Sequence, residues 1–104
     1  MRNYNIGIIG YGGFGKFLHH WWNRLENINV IAVSDGNLND EDIDGMRSYK
    51  SWKDLLENKQ IDIVSIATPP TFHVEIACAA LRAGKHVLLE KPVAVENKGR
   101  EAIL

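Results

Sequence analysis

A chain of 104 residues holds one small domain, and 45% apolar against 24% charged residues is the balance of an ordinary globular protein, not of a disordered tail. A formal net charge of −1 gives no reason to look for a nucleic acid or an anionic membrane as partner. One cysteine, Cys78, excludes an internal disulfide and fits a reducing cytoplasm.

Met1 to Asn5 lead directly into a short strand, Ile6 to Ile9, apolar at nearly every position as in a strand covered on both faces. Glycines break the apolar stretch within a few residues, so it is not a signal peptide, and no apolar run reaches the roughly 18 residues of a membrane span. The strand runs into Gly10-Tyr11-Gly12-Gly13-Phe14-Gly15, a G-x-G-x-x-G spacing between a strand and a helix. Gly10 allows the sharp turn, Gly12 lets the backbone approach a pyrophosphate, and Gly15 lets the helix pack on the strand. The helix start, with its free amides and positive dipole end, makes an anion site. The helix is predicted from about Gly13 to Glu26, with Phe14, Leu18, Trp21, Trp22 and Leu25 as its buried stripe. His19 and His20 are adjacent, point about 100° apart, and do not chelate one metal together.

Asn29 to Ser34 is the second strand and ends at Asp35. A carboxylate there accepts hydrogen bonds from adenosine ribose hydroxyls and repels a 2′-phosphate. No Arg or Lys occurs between Asp35 and Met46, which favours NAD over NADP. Asn37 to Gly45 is polar and acidic and reads as a solvated loop with at most one helical turn; it lacks the pattern of a calcium loop. Met46 to Tyr49 is a short edge strand. Ser51 caps a helix through about Asn58, with Asp54 in its first turn. Ile61 to Ile66 is the next strand, stopped by Ala67-Thr68-Pro69-Pro70. Thr71 caps a helix to about Ala83 with Ile76, Ala77, Ala80 and Leu81 inward and Cys78 structural; Gly84 ends it. His86 to Leu89 is the last strand, followed by Glu90-Lys91-Pro92 and a helical pattern from near Glu96 to Leu104.

Strands alternating with helices give an α/β, Rossmann-like parallel sheet with helices on both faces. Its five strands, counted along the chain, take the order 3-2-1-4-5. The glycine turn and the Ala67–Pro70 turn then flank one crevice at the switch point. The sixth strand of such a fold would come after Leu104. The outer edge of His86 to Leu89 would be bare, and self-association is expected there.

Three motifs occur in order: Gly10-x-Gly12-x-x-Gly15, Ala67-Thr68-Pro69-Pro70-Thr71-Phe72-His73, and Gly84-Lys85-His86-Val87-Leu88-Leu89-Glu90-Lys91-Pro92. Together they closely resemble the N-terminal domain of the Gfo/Idh/MocA oxidoreductases, the family of glucose–fructose oxidoreductase and inositol dehydrogenase. The resemblance implies that Gly12, Gly13, Phe14 and Gly15 hold the NAD pyrophosphate and Asp35 the ribose. It implies that Ala67, Thr68 and Pro69 border the cofactor with His73 close by. Glu90, Lys91 and Pro92 would lie at the nicotinamide end, Lys91 contacting substrate and assisting catalysis, often before a cis proline. A lysine at a strand end suits that role, because it stabilises the alkoxide that develops as hydride leaves.

The family's second domain, which covers the nicotinamide, is missing from these 104 residues. They therefore read as an incomplete NAD-binding domain, a fragment expected to be inactive alone. Two other readings remain open. A redox-sensing dinucleotide module would keep the glycine turn and Asp35 without needing Lys91. An S-adenosylmethionine site would leave Glu90-Lys91-Pro92 without a purpose.

Overall fold

Short β-branched runs alternate with amphipathic stretches, and the computed structural model, which describes residues 3–43 and 45–89, folds them into six strands and three helices. In chain order these are β1 (Tyr4–Ile9), α1 (Gly13–Trp22), β2 (Ile28–Ser34), β3 (Glu41–Ile43), β4 (Met46–Tyr49), α2 (Trp52–Leu56), β5 (Ile63–Ile66), α3 (His73–Arg82) and β6 (His86–Leu89), with a 3-10 turn at Pro70–Phe72. The sheet order is β3-β4-β2-β1-β5-β6. All neighbours run parallel except β3, which is antiparallel to β4. The Rossmann-like order expected from the sequence is therefore present as β4-β2-β1-β5-β6.

The extra strand corrects the reading of Asn37 to Gly45 as a loop. Side chains hold this acidic stretch against β4: Lys50 N donates to Asp40 Oδ1 at 2.9 Å and Ser48 Oγ to the Asn39 carbonyl at 2.5 Å. Gly45, at φ +79°, belongs to the turn that reverses the chain. The Arg47–Asp42 contact across the pair is 3.4 Å and exposed, so it contributes little.

Helix limits also shift. The first helix ends at Trp22 rather than near Glu26, because Arg24 N and Leu25 N turn back to the Trp21 and Trp22 carbonyls at 3.1 Å. Thr71 does not cap α3; the 3-10 turn places Phe72 at that position, with no side-chain cap. Ser51 does cap α2, its Oγ accepting from Lys53 N at 3.2 Å. Gly84 follows α3 at φ +81°, the left-handed conformation that favours glycine after a helix.

The two faces of the sheet are covered unequally. On one, α2 and α3 bring Leu55, Leu56, Ile76 and Ala80 against Ile9, Ala32, Val64 and Ile66. On the other, α1 packs on β1 and β2, over Ile6, Ile8 and Val33, with Met46 of β4 completing the cluster. The buried stripe read for this helix is largely wrong. Leu18 is buried and Trp22 partly so, but Phe14, Trp21 and Leu25 are exposed, as is Phe17. A helix with one flank hanging beyond the strands beneath it packs only half of its apolar arc. On α3, Leu81 and Cys78 likewise face solvent while Ile76 and Ala80 are buried. Among the described residues no helix is long and apolar enough to cross a membrane.

Candidate functional site

The glycine turn leaves β1 at the carboxyl edge of the sheet. Gly10 N donates to the Ser34 carbonyl at 2.8 Å, and its φ of +95° favours glycine. Gly15 is required for a different reason: a Cβ there would lie 2.0 Å from the Gly10 carbonyl oxygen. By contrast, nothing lies within 4 Å of a Cβ built on Gly12 or Gly13, so this side of the turn is open to a ligand. Lys16 N makes the first bond of α1, to the Gly12 carbonyl at 3.0 Å. The amides of Gly13, Phe14 and Gly15 precede it and have no intrahelical acceptor. Three amides and the positive end of a ten-residue helix together present donors of the kind that suit an anion.

Asp35 stands beside that turn. Its amide donates to the Tyr49 carbonyl at 3.1 Å, continuing the β2–β4 pairing. One carboxylate oxygen accepts from Tyr11 N at 2.8 Å and the other from Asn37 N at 3.0 Å. The carboxylate is thus oriented by the glycine turn itself and keeps acceptor capacity on both oxygens. Tyr11 is braced in turn. Its hydroxyl lies 2.5 Å from His19 Nδ1, and burial lowers the His19 pKa below the usual value of 6.5. A neutral imidazole accepts the Tyr11 hydroxyl proton at Nδ1.

The Ala67–Pro70 turn forms the opposite wall. Ala67 N donates to the Ile9 carbonyl at 2.8 Å, and a Cβ on Gly10 would come within 3.0 Å of Ala67 and Thr68. The two turns are therefore in direct contact. His73 is 8% exposed and its Nε2 donates to the Thr68 carbonyl at 2.6 Å. Its ring nitrogen is engaged in holding the turn from which it follows. Thr68 Oγ1 is buried without a partner among the described residues, which leaves a polar atom unsatisfied beside the glycine turn.

Gly10, Gly12, Gly13, Phe14, Gly15, Asp35, Ala67, Thr68, Pro69 and His73 thus lie on or directly beside two adjoining turns at one edge of the sheet. Glu90, Lys91 and Pro92, and the expected cis bond, lie outside the described residues. The last described strand, β6, reaches that same edge, with Leu89 paired to Ile66.

One charged group near Asp35 is not visible in a linear search. Lys50 Nζ donates to the Gly36 carbonyl at 3.0 Å. The pairing of Ser34 with Tyr49 carries it there, although it lies past the segment Asp35 to Met46 in which no cation occurs. The signal was available in the strand order, since the residue following the partner of Ser34 must land beside this turn.

Residues 4–103 match the model of the Gfo/Idh/MocA oxidoreductase family, NAD-binding Rossmann fold. The chain belongs to this family. It is 36% identical to the levoglucosan dehydrogenase of Pseudarthrobacter phenanthrenivorans, over 99% of the chain and 30% of that protein. It is 33% identical to the inositol 2-dehydrogenase of Salmonella typhimurium, over 86% of the chain and 29% of that protein. The crystal structure of biliverdin reductase from Synechocystis, in complex with biliverdin and NADP+, superposes with a TM-score of 0.72 at 34% identity, covering 86% of the chain and 30% of that one. The chain thus spans about 30% of the length of the curated relatives it matches.

Proposed function

We propose that the chain binds NAD at the two adjoining turns and forms the cofactor-binding part of an oxidoreductase acting on a sugar, polyol or related hydroxy compound. The observation that carries this reading is Asp35, whose carboxylate is fixed by the Tyr11 amide next to three helix amides with no intrahelical acceptor. That arrangement offers acceptors for ribose hydroxyls and donors for a pyrophosphate at neighbouring points. The open side of Gly12 and Gly13 admits the phosphates, and the Ala67–Pro69 backbone closes the opposite wall. His73 acts through the turn that it holds. The names of the dehydrogenase relatives support the substrate class.

The bound nicotinamide supplies the hydride acceptor. The chain's own contribution to chemistry is Lys91, attached two residues beyond β6. Its ammonium donates to the substrate hydroxyl oxygen and stabilises the negative charge that grows there. Substrate selection belongs to the polypeptide that the longer relatives carry in addition, so the 104-residue chain binds dinucleotide without steady turnover.

Calorimetric titration with NAD and NADP tests the reading. Saturable NAD binding is expected, weakened in Asp35→Ala; absence of heat with either dinucleotide sinks the proposal. Steady polyol oxidation by the 104-residue chain would contradict its second half. Lys50 favours some acceptance of NADP, because its ammonium lies close to where a 2′-phosphate would meet Asp35. Lys50→Glu is therefore expected to widen the NAD over NADP preference several-fold, about 1 kcal/mol for one exposed charge pair.

A further inference from the structure

The exposed flank of α1 has a definite direction. His19 and Asn23 on one side of the helix line a cavity of about 430 Å³ with Met46 of β4 and Ile43 of β3. At 100° per residue, Phe14, Phe17 and Trp21 project from the opposite side, toward the β5–β6 half of the sheet. No helix among the described residues covers that half from this side, since α3 packs on it from behind. The strand residues that face the same way are Ile63, Ser65, His86 and Leu88, as their registers with Ile6 and Ile8 show. Leu88 is well exposed. The result is an aromatic wall beside a strand pair in which Ser65 is fully buried and His86 and Leu88 are exposed.

Phe14, Phe17 and Trp21 remain 39%, 53% and 52% exposed. Phe14 stacks on Phe17 at 6.1 Å, Phe17 meets Trp21 edge-on at 6.2 Å, and Arg24 stands 5.6 Å over the Trp21 ring. With Leu25 and Leu88 this amounts to roughly 400 Å² of exposed apolar surface, taking about 150–250 Å² for an aromatic side chain. A standard interface buries about 800 Å² per partner, of which somewhat more than half is apolar, so the patch matches one side of such an interface. Residues 3–25 contain no acidic side chain, so no carboxylate would be buried at this contact.

We propose that this flank is a self-association surface on which a second copy lays its own α1, antiparallel, against the aromatic wall. The stripe is self-complementary in that orientation. A register that sets Phe17 of one copy against Trp21 of the other also sets Phe14 against Arg24, aromatic on aromatic and cation on aromatic, twice by symmetry. Lys16 and Arg24 do not meet their own copies in this register. The contact differs from edge pairing at β6, where the sequence placed self-association.

Sedimentation velocity over a wide concentration range tests this. The native chain should dimerise. Phe17→Glu and Trp21→Glu should each weaken the dimer at least about 30-fold, as expected of a central aromatic. They should leave the unfolding of the monomer, measured by urea denaturation at a concentration where neither variant nor native chain associates, and NAD affinity unchanged, since both side chains are about half exposed and neither lies on the two turns. Leu81→Glu, on the opposite face, should not affect the dimer. A chain that stays monomeric at its solubility limit overturns the proposal and leaves the aromatic wall for a segment of a longer polypeptide. A dimer that survives both substitutions overturns it as well.

Discussion

The two ends of the same six strands treat their polar groups in opposite ways. At the amino edge, side chains tie off the backbone. Asn5 N donates to Asp62 Oδ2 at 2.8 Å, Asn5 Nδ2 to the Gln60 carbonyl at 2.9 Å, and Lys85 Nζ to the Asn58 and Ile61 carbonyls at 3.0 Å. At the carboxyl edge the amides of Gly13, Phe14 and Gly15 are left without intrahelical acceptors, and Thr68 Oγ1 is buried without a partner among the described residues. A depression of about 760 Å³ lies at the amino edge, among Tyr4, Asp62 and Lys85. Size alone would favour it as a binding site. Donor chemistry argues otherwise, because Lys85, the buried cation there, already serves two carbonyls. Ligand capacity lies at the edge where several donors are left free together; the amino edge keeps one buried unpaired atom of its own, Trp22 Nε1.

Substitutions that separate the two edges sharpen this contrast. Gly15→Val should be the most severe. Its Cβ would collide with the Gly10 carbonyl, so the turn and the helix start must both move. A loss of at least about 3 kcal/mol in urea denaturation is expected, together with loss of NAD binding. Lys85→Met should remove about 2–3 kcal/mol, the range for buried bonds from a charged donor, and leave NAD affinity as it was. A matching loss of affinity would break the contrast.

Asp35→Ala is the converse case. NAD affinity should fall roughly 10- to 100-fold, about 1.5–3 kcal/mol for bonds to a charged group, with a much smaller effect on unfolding. The smallest effect concerns His19. Its folded pKa lies below the unfolded value of 6.5, so the unfolded chain takes up the proton first as pH falls. Its contribution to stability is complete above about 6.5 and is lost as pH falls from there toward the folded pKa. His19→Gln should flatten that part of the stability–pH curve, measured by urea denaturation in a pH series; an unchanged slope would argue against a buried neutral ring.

Much of this was legible from the sequence, and the exceptions have physical causes. The strands, the Ser51 cap, the Gly84 terminus and the placing of two turns on one crevice follow from local chemistry and from right-handed crossovers. Periodicity revealed that α1 was apolar around Phe14, Leu18, Trp21 and Trp22. It could not reveal that only the Leu18–Trp22 side has strands beneath it. The strand Glu41–Ile43 carries no alternation, and the bonds that hold its leading residues, Asn39 and Asp40, come from Ser48 in the next strand and from Lys50 just after it. Lys50 and the His73–Thr68 bond depend on pairing and loop geometry that spacing alone does not express.

The position of β1 has a consequence for synthesis. Its partner β2 is made soon after it, but its other partner, β5, pairs Ile6 with Ile63 and Ile9 with Ile66. Synthesis must pass Ile66 before that edge is closed. Until then β1 exposes a full ladder of unpaired amides and carbonyls beside buried-type isoleucines, the kind of edge on which nascent chains aggregate. The nascent β1-α1-β2 unit accordingly carries an open edge on β1, and pairing across this sequence separation forms more slowly than the local contacts within that unit.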